Sequence, residues 1–379
     1  MSTDVRRAMA RDGGIVLVDE PLPEVGPGDV RVRSAFSVIS PGTERSIIRA
    51  TRISPAAAHE YPHPEFVWPR LRSAAVDGQQ RRPRMPPDHA ASLGYSVAGV
   101  VAQVGSAVTD LRPGDAVACS GSQCAYHAEQ VVVPRNLTVR VPQGVSLRDA
   151  AHVTLGTIAI EALRRTRCTV GETVVLLGAG MLGLLLTQIA AAAGIYPVAL
   201  DTNTDRLSLA GRFGAVLGVP AADDAGVAAI REVTDGFGAD AVIVAAADPG
   251  SVLINFAFDA LRPGGRVVAL GDFGMTIDRA KFFRAQATFV PSIAYGPGRY
   301  DPVYEENNVD LPINAVRWTE NRNMAHFLRM LGERRIDLEP FHPVEVPFDR
   351  APEAYQQLLG PDSPLTGVMR YPAAQEIQR

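Results

Sequence analysis

Glycines at 178, 180 and 183, at the end of an apolar run, form a pattern by which a backbone can receive a phosphate. The run Thr173-Val174-Val175-Leu176-Leu177 leads into Gly178-Ala179-Gly180-Met181-Leu182-Gly183, which opens an alanine- and leucine-rich segment. In a strand, turn and helix of this spacing the first glycine permits the tight turn, the second lets the backbone approach a pyrophosphate, and the third lets the helix pack on the strand. The phosphates then rest on a helix N-terminus, where unsatisfied N–H groups and the dipole favour anions. A second apolar run, Tyr196 to Leu200, ends in Asp201, at roughly the twenty-residue distance where an acid meets a ribose. A carboxylate there accepts hydrogen bonds from the 2′- and 3′-hydroxyls and repels a 2′-phosphate. With no Arg directly after Asp201, NAD is expected over NADP. Met181 and Leu182 in the turn, Arg206 beyond Asp201, and Gly271 at the end of a later strand join the expected cofactor contacts. The bland alternative is a glycine turn in an ordinary α/β protein.

The elements that must position these residues continue as alternating helix and strand. Thr204 to Phe213 reads as helix, Ala239 to Ala246 as strand, Ser251 to Leu261 as helix, then Arg262-Pro263-Gly264-Gly265 as a turn into strand Arg266 to Gly271. A further strand, Ala287 to Ile293, would complete six. Repeated βα units imply a doubly wound parallel sheet with helices on both faces. The first 150 or so residues read differently, as short strands (Asp29 to Val38, Ser96 to Val104, Asp115 to Ala118) punctuated by Pro and Gly. Gly42, Gly94, Gly99, Gly105 and Gly114 are expected at turns between them. Ala56 to Ala90, rich in Pro, His and Arg, reads as a surface insertion whose length also suits a lid or substrate-facing loop.

At 379 residues the chain exceeds what one core usually holds. The domains are expected at 1–152 (β-rich), 153–296 (cofactor-binding) and 297–379 (a return to the first domain). Lys plus Arg number 37 against 41 Asp plus Glu, and a net charge of −4 gives no reason to expect nucleic acid or an anionic membrane as partner. Residues 173–200 carry no charge, but Gly178, Gly180, Gly183 and Gly194 cut them into strand, turn and helix rather than a membrane span. The N-terminus lacks the apolar core of a signal peptide, so a cytoplasmic location is expected. Three cysteines, Cys119, Cys124 and Cys168, are too few for a disulfide framework.

The order of β-rich domain, then Leu155-Gly156-Thr157, then the glycine turn, with Leu111-Arg112-Pro113-Gly114-Asp115 before and Ala351-Pro352-Glu353-Ala354-Tyr355 after, resembles the medium-chain dehydrogenase/reductase superfamily. The resemblance covers nearly the whole chain. It implies a GroES-like catalytic domain joined to a Rossmann domain, with Thr157 near the nicotinamide. Many alcohol-acting members hold a catalytic zinc on a Cys in a CGTD-like turn, a His in a GHE-like motif and a later Cys, Asp or Glu. Here the three places read Ser40-Pro41-Gly42-Thr43-Glu44, Leu93-Gly94-Tyr95-Ser96 and Val153. Proline and valine cannot bind zinc and tyrosine rarely does, so no metal is expected. The four cysteines of a structural zinc lobe are missing too. The segments Ile293 to Pro302, Tyr304-Glu305-Glu306 and Val316 to Met324, with the GTE and LGYS turns, resemble zinc-free members described as bi-domain oxidoreductases of polysaccharide, sugar and cyclitol metabolism.

Without a metal, another group must polarise the carbonyl or take the alcohol proton as hydride moves. Tyr95, standing where the family's zinc-ligand His would be, offers a phenol to a developing alkoxide or packs as an aromatic. Thr43 occupies the approximate place of a relay hydroxyl. Glu44 is either a base or an anchor for its own turn. His127 is expected on a strand facing the surface, with reach to substrate for it or for His152 the lesser possibility. Arg299, Arg317 and Arg322, among Tyr295, Tyr300 and Trp318, suit a polyhydroxylated, possibly anionic substrate, unless they pair with Asp301, Glu305, Glu306 and Glu320. These readings converge on an NAD-dependent, zinc-independent oxidoreductase interconverting a secondary alcohol and a ketone on a sugar, nucleotide sugar or cyclitol. Alternatives are redox-neutral use of bound NAD for epimerisation or elimination, a tetrapyrrole side-chain alcohol dehydrogenase, and a non-catalytic NAD-binding partner. A homodimer is expected through Thr288-Phe289-Val290, an apolar edge that needs covering.

Overall fold

A computed structural model describes residues 4–51, 90–341, 344–358 and 364–377; the expected insertion at Ala56 to Ala90 lies almost wholly outside them. The chain forms two compact units, one from residues 1–154, 298–317 and 339–379, the other from 155–297 and 318–338.

The second unit is built on a six-stranded sheet in the order Leu217–Val219, Tyr196–Leu200, Thr173–Leu177, Ala239–Val244, Leu261–Ala269, Thr288–Pro291. Every neighbouring pair is parallel. The first strand in sequence therefore lies centrally and the order reverses beside it, the doubly wound Rossmann arrangement. Thr173–Leu177 is buried along its whole length, which is why its sequence is apolar without alternation. The short edge strand Leu217–Val219 completes the six, and it escapes the sequence reading because three residues carry no periodicity. The expected Arg262–Gly265 turn falls inside the span of Leu261–Ala269, where pairing with the neighbour shifts register between Ala239 and Ala241. The uncharged stretch 173–200 resolves into strand, the helix Met181–Ala192 and a second strand. No described helix is long and apolar enough to cross a membrane.

Residues 318–338 pack with this unit rather than returning to the first as 297–379 was expected to do. The cause is the helix Glu320–Gly332. Its Phe327 ring lies so close to Gly156 that a Cβ there would stand 2.1 Å from it, and the Asn323 amide donates to the Tyr295 carbonyl (3.2 Å) and Glu161 (3.4 Å).

The first unit holds a seven-stranded sheet in which Asp29–Ile39 is the long shared strand, paired antiparallel with Ser96–Val104, Gln130–Pro134 and, from far along the chain, Gly367–Arg370. A three-stranded sheet of Gly14–Pro21, Asp4–Arg11 and Ala91–Ser92 accompanies it. Two glycines expected at turns lie elsewhere. Gly99 is inside a strand, because a Cβ would come within 2.0 Å of the Arg33 carbonyl oxygen. Gly42 belongs to a helix, Pro41–Ala50, whose first turn is the expected GTE turn; Pro at the first helical position is pre-set for this.

Candidate active site

In the second unit the glycine turn has the geometry that its spacing implies. Gly178 adopts φ 107°, in the left-handed region. A Cβ on Gly183 would stand 1.8 Å from the Gly178 carbonyl oxygen, so helix and strand approach there as only glycine allows. Gly180 precedes the helix Met181–Ala192 and has open space where a side chain would be. Asp201 accepts from the Ala179 N–H (2.8 Å) and the Asn203 N–H (2.9 Å), which fixes its carboxylate beside the turn. Arg206 Nη1 lies 3.8 Å from the same carboxylate. Gly271 permits a close approach of a different kind, since a Cβ would meet the Ala246 carbonyl oxygen at 2.3 Å. Thr157 is fully buried near the start of the helix Val153–Thr166. These residues could hold a dinucleotide, whose phosphates would meet the Gly180–Leu182 backbone and whose ribose would meet Asp201.

In the first unit the helix Pro41–Ala50 buries Glu44 completely. Glu44 reaches back to accept the Ser40 N–H (2.8 Å), closing the helix start as a capping carboxylate does. The same carboxylate accepts from the Tyr355 hydroxyl and lies 3.3 Å from His127 Nε2. His127 Nδ1 meets Ser37 Oγ at 2.7 Å, and Ser37 Oγ meets the Tyr371 hydroxyl at 2.8 Å. Tyr355, Glu44, His127, Ser37 and Tyr371 thus form one buried polar chain. Burial and the facing Glu44 charge push the Tyr355 phenol well above its ordinary range, and burial does the same to Tyr371. Both phenols stay protonated and can donate. His127 is therefore interior, not on a surface-facing strand: it precedes the strand Gln130–Pro134 and satisfies its ring inside the unit.

This chain bears directly on Tyr95. The His127 N–H donates to the Leu93 carbonyl (2.9 Å), and Gly94, at φ 84°, lies so close to the imidazole that a Cβ would be 2.7 Å from it. Tyr95 follows, 7% exposed, with its carbonyl accepting from the Gly121 N–H (3.1 Å) and Thr154 Oγ1 (2.9 Å). Thr43 sits half-buried in the helix turn that carries Glu44. His152 is buried, its Nδ1 3.2 Å from the Asp149 carbonyl oxygen.

The expected substrate arginines have different environments. Arg299 is a correction: its guanidinium is buried and committed to Glu305 (2.8 Å), Gln123 (3.2 Å) and Ser122 (3.2 Å), and it stacks on Tyr300. It fixes its own loop. Arg317 is exposed in the first unit and Arg322 half-buried in the second. Tyr295 is buried in the second unit, its carbonyl taken by Asn323. Cys119 and Cys124 are buried free thiols, and burial pushes Cys119 up to about 12, far from reactivity. Among the described residues no group of three or more His, Cys, Asp or Glu is disposed to hold a metal.

Sequence reasoning missed Tyr355 as a partner of Glu44, and Ser37 and Tyr371 as the continuation of the chain beyond His127. No local signal marks them, since Tyr355 lies 311 residues from Glu44 and Tyr371 334 from Ser37.

Comparison with known proteins places both units. Residues 70–143 match the model of the alcohol dehydrogenase GroES-like domain, and residues 182–307 that of the zinc-binding dehydrogenase. Galactitol 1-phosphate 5-dehydrogenase of Escherichia coli K12 is 30% identical over 196 residues, 44% of this chain and 56% of that one. The chain thus spans little more than half the length of that relative. D-xylulose reductase A of Aspergillus oryzae is 30% identical over 242 residues, 55% of this chain and 67% of that one. In three dimensions, a Sinorhizobium meliloti 1021 protein of the zinc-binding dehydrogenase type, solved with NADP, superposes with a TM-score of 0.71 at 19% identity, over 97% of this chain and 100% of that one.

Proposed function

Since the chain belongs to the medium-chain dehydrogenase/reductase superfamily, we propose that it is an NAD-dependent oxidoreductase that interconverts a secondary alcohol and a ketone on a sugar or cyclitol-like substrate, without zinc. The observation that carries the cofactor half is Asp201, fixed by the Ala179 and Asn203 N–H groups at the end of Tyr196–Leu200. A carboxylate there favours free ribose hydroxyls over a 2′-phosphate. Arg206, the nearest cation, is drawn toward that same carboxylate. The polyol chemistry in the names of the similar dehydrogenase and reductase supports the substrate class. Zinc independence rests on Pro41, Tyr95 and Val153, which stand where the family's metal-binding members carry ligands. A homodimer in the cytoplasm completes the proposal.

The bound nicotinamide would accept or supply the hydride. The residues of this chain do the rest. The Gly180–Leu182 backbone holds the pyrophosphate, and Asp201 orients the adenosine ribose. As a ketone is reduced, Tyr95 donates its phenolic hydrogen to the oxygen that gains negative charge, and Thr43 Oγ1 relays a proton from water back to the phenolate; alcohol oxidation runs the same transfers in reverse. Glu44 acts as a positioning residue: its carboxylate is fully buried and engaged by Ser40, Tyr355 and His127, so it locks the helix that carries Thr43 and the histidine that packs under Gly94. The direct test incubates purified protein with NAD or NADP and a panel of polyols, polyol phosphates and cyclitols, following absorbance of the reduced cofactor. Stoichiometric NADH with at least one substrate is expected. Preference for NADP, or cofactor binding with no turnover on any member of the panel, would overturn the proposal.

A further inference from the structure

A recess of about 470 Å³ opens on the second unit, walled by Arg212, Arg334 and Arg335 over a floor of Ala191, Ala192 and Phe213. That is within the size range of small-molecule sites. It lies away from the cofactor turn. The helix Met181–Ala192 starts at the Gly178–Gly180 end of the strands and runs twelve residues, about 18 Å, so Ala191 and Ala192 stand at the other ends of the strands from Asp201.

The charges of the recess are poorly compensated. Arg335 shares Glu333 with Arg329, at 3.1 and 2.6 Å. Among the described residues neither Arg212 nor Arg334 has an ion pair or a side-chain hydrogen bond. Asp337 is the only acid in the lining. Its main chain is tied to Gln188, whose amide donates to the Asp337 carbonyl (3.0 Å) and accepts its N–H (2.6 Å), which makes that wall rigid. Arg334 holds φ 55° just past the helix Glu320–Gly332, a place where glycine usually supplies this conformation. Offsetting the partial negative charge of a helix end accounts for a cation at Arg212. It does not account for three arginines lining one recess of mixed polarity.

We propose that this recess binds a phosphate-bearing small molecule, its phosphoryl oxygens held by Arg212 and Arg334 and its body lying on Ala191, Ala192 and Phe213. Guanidinium forks match phosphate oxygens in pairs. Isothermal titration of the full-length protein with inorganic pyrophosphate, in excess NAD to fill the cofactor turn and at ionic strength fixed with chloride, tests it. Saturable binding is expected. Arg212→Ala and Arg334→Ala should each weaken it about tenfold or more, the loss of one charge-assisted contact, and the double variant should abolish it. Both side chains are exposed, so the variants should retain the parental far-UV circular dichroism. Omitting NAD should add a second set of sites to the isotherm without altering the first, which separates this recess from the cofactor turn. AMP and ribose 5-phosphate in the same titration distinguish a nucleotide from a sugar phosphate by which binds tighter than pyrophosphate. No saturable heat with any of the three probes, or binding that survives the double variant, would overturn the proposal.

Discussion

Tyr95 and Glu44 were interchangeable candidates for proton handling on residue type alone, and their surroundings separate them. Glu44 has both oxygens engaged inside the first unit, so it is Tyr95 that we propose as the donor. Tyr95→Phe should preserve NAD binding and packing while slowing the hydride step about a hundredfold, as read from single-turnover rates with a deuterated substrate. Glu44→Gln should act on stability instead. It replaces a carboxylate that takes three hydrogen bonds, and bonds to charged groups are worth roughly 1.5–3 kcal/mol each, so a drop of several degrees in Tm with kcat of the folded enzyme largely kept is expected. An inactive but fully stable Glu44→Gln would return the base to Glu44. Asp201→Ser should bring NADP binding within about tenfold of NAD, measured as the ratio of the two Kd values. Asp201 was legible because it follows an apolar strand at a fixed distance from the glycines. Tyr355 and Tyr371 were not, because a buried hydrogen bond between residues more than 300 apart leaves no periodic trace. Arg299 takes the second of the two roles its sequence left open, pairing with Glu305; a guanidinium bound for a buried carboxylate looks, in sequence, like one awaiting a substrate.

At the scale of elements, the pairing of helices Val153–Thr166 and Glu320–Gly332 governs the second unit. Gly156→Ala would force a Cβ against the Phe327 ring and should cost about 1–3 kcal/mol, recovered in part by Phe327→Leu; denaturant midpoints measure both. The same pair buries Glu161, whose carboxyl burial pushes up to about 6 although Arg165, Arg164 and Asn323 oppose the rise. The folded chain thus holds that proton more tightly than the unfolded one. Its stabilising effect is complete below pH 4.5 and is lost as pH rises through about 6. Glu161→Gln should therefore flatten this part of the stability–pH curve, by about 2 kcal/mol. The strand and helix order of the sheet was readable because buried parallel strands are continuously apolar. The assignment of 318–338 was not, since an amphipathic helix shows that it has a buried face and not which unit covers it.

At the scale of the whole molecule, Thr288–Pro291 ends the parallel sheet with one unshared edge among the described strands, the feature behind the proposed homodimer. Its Phe289 packs into the core of its own unit, so the seam would be made by main chain and by Thr288 and Val290. Light scattering at micromolar concentration should give twice the chain mass, and Val290→Glu, which would bring like charges together across a two-fold seam, should shift it toward monomer. The two units are also interleaved along the chain. The strand Gly367–Arg370 pairs with Asp29–Ile39, and Tyr371 closes on Ser37, so the first unit to begin synthesis is the last to be completed. Everything that the second unit needs has been synthesised by residue 338. The nucleotide-handling half is then free to fold while the other half still lacks its closing strand, and a nascent chain cut at residue 358 and carried clear of the exit tunnel by an unrelated C-terminal extension should already resist proteolysis across 155–338 while its opening 150 residues remain open to cleavage.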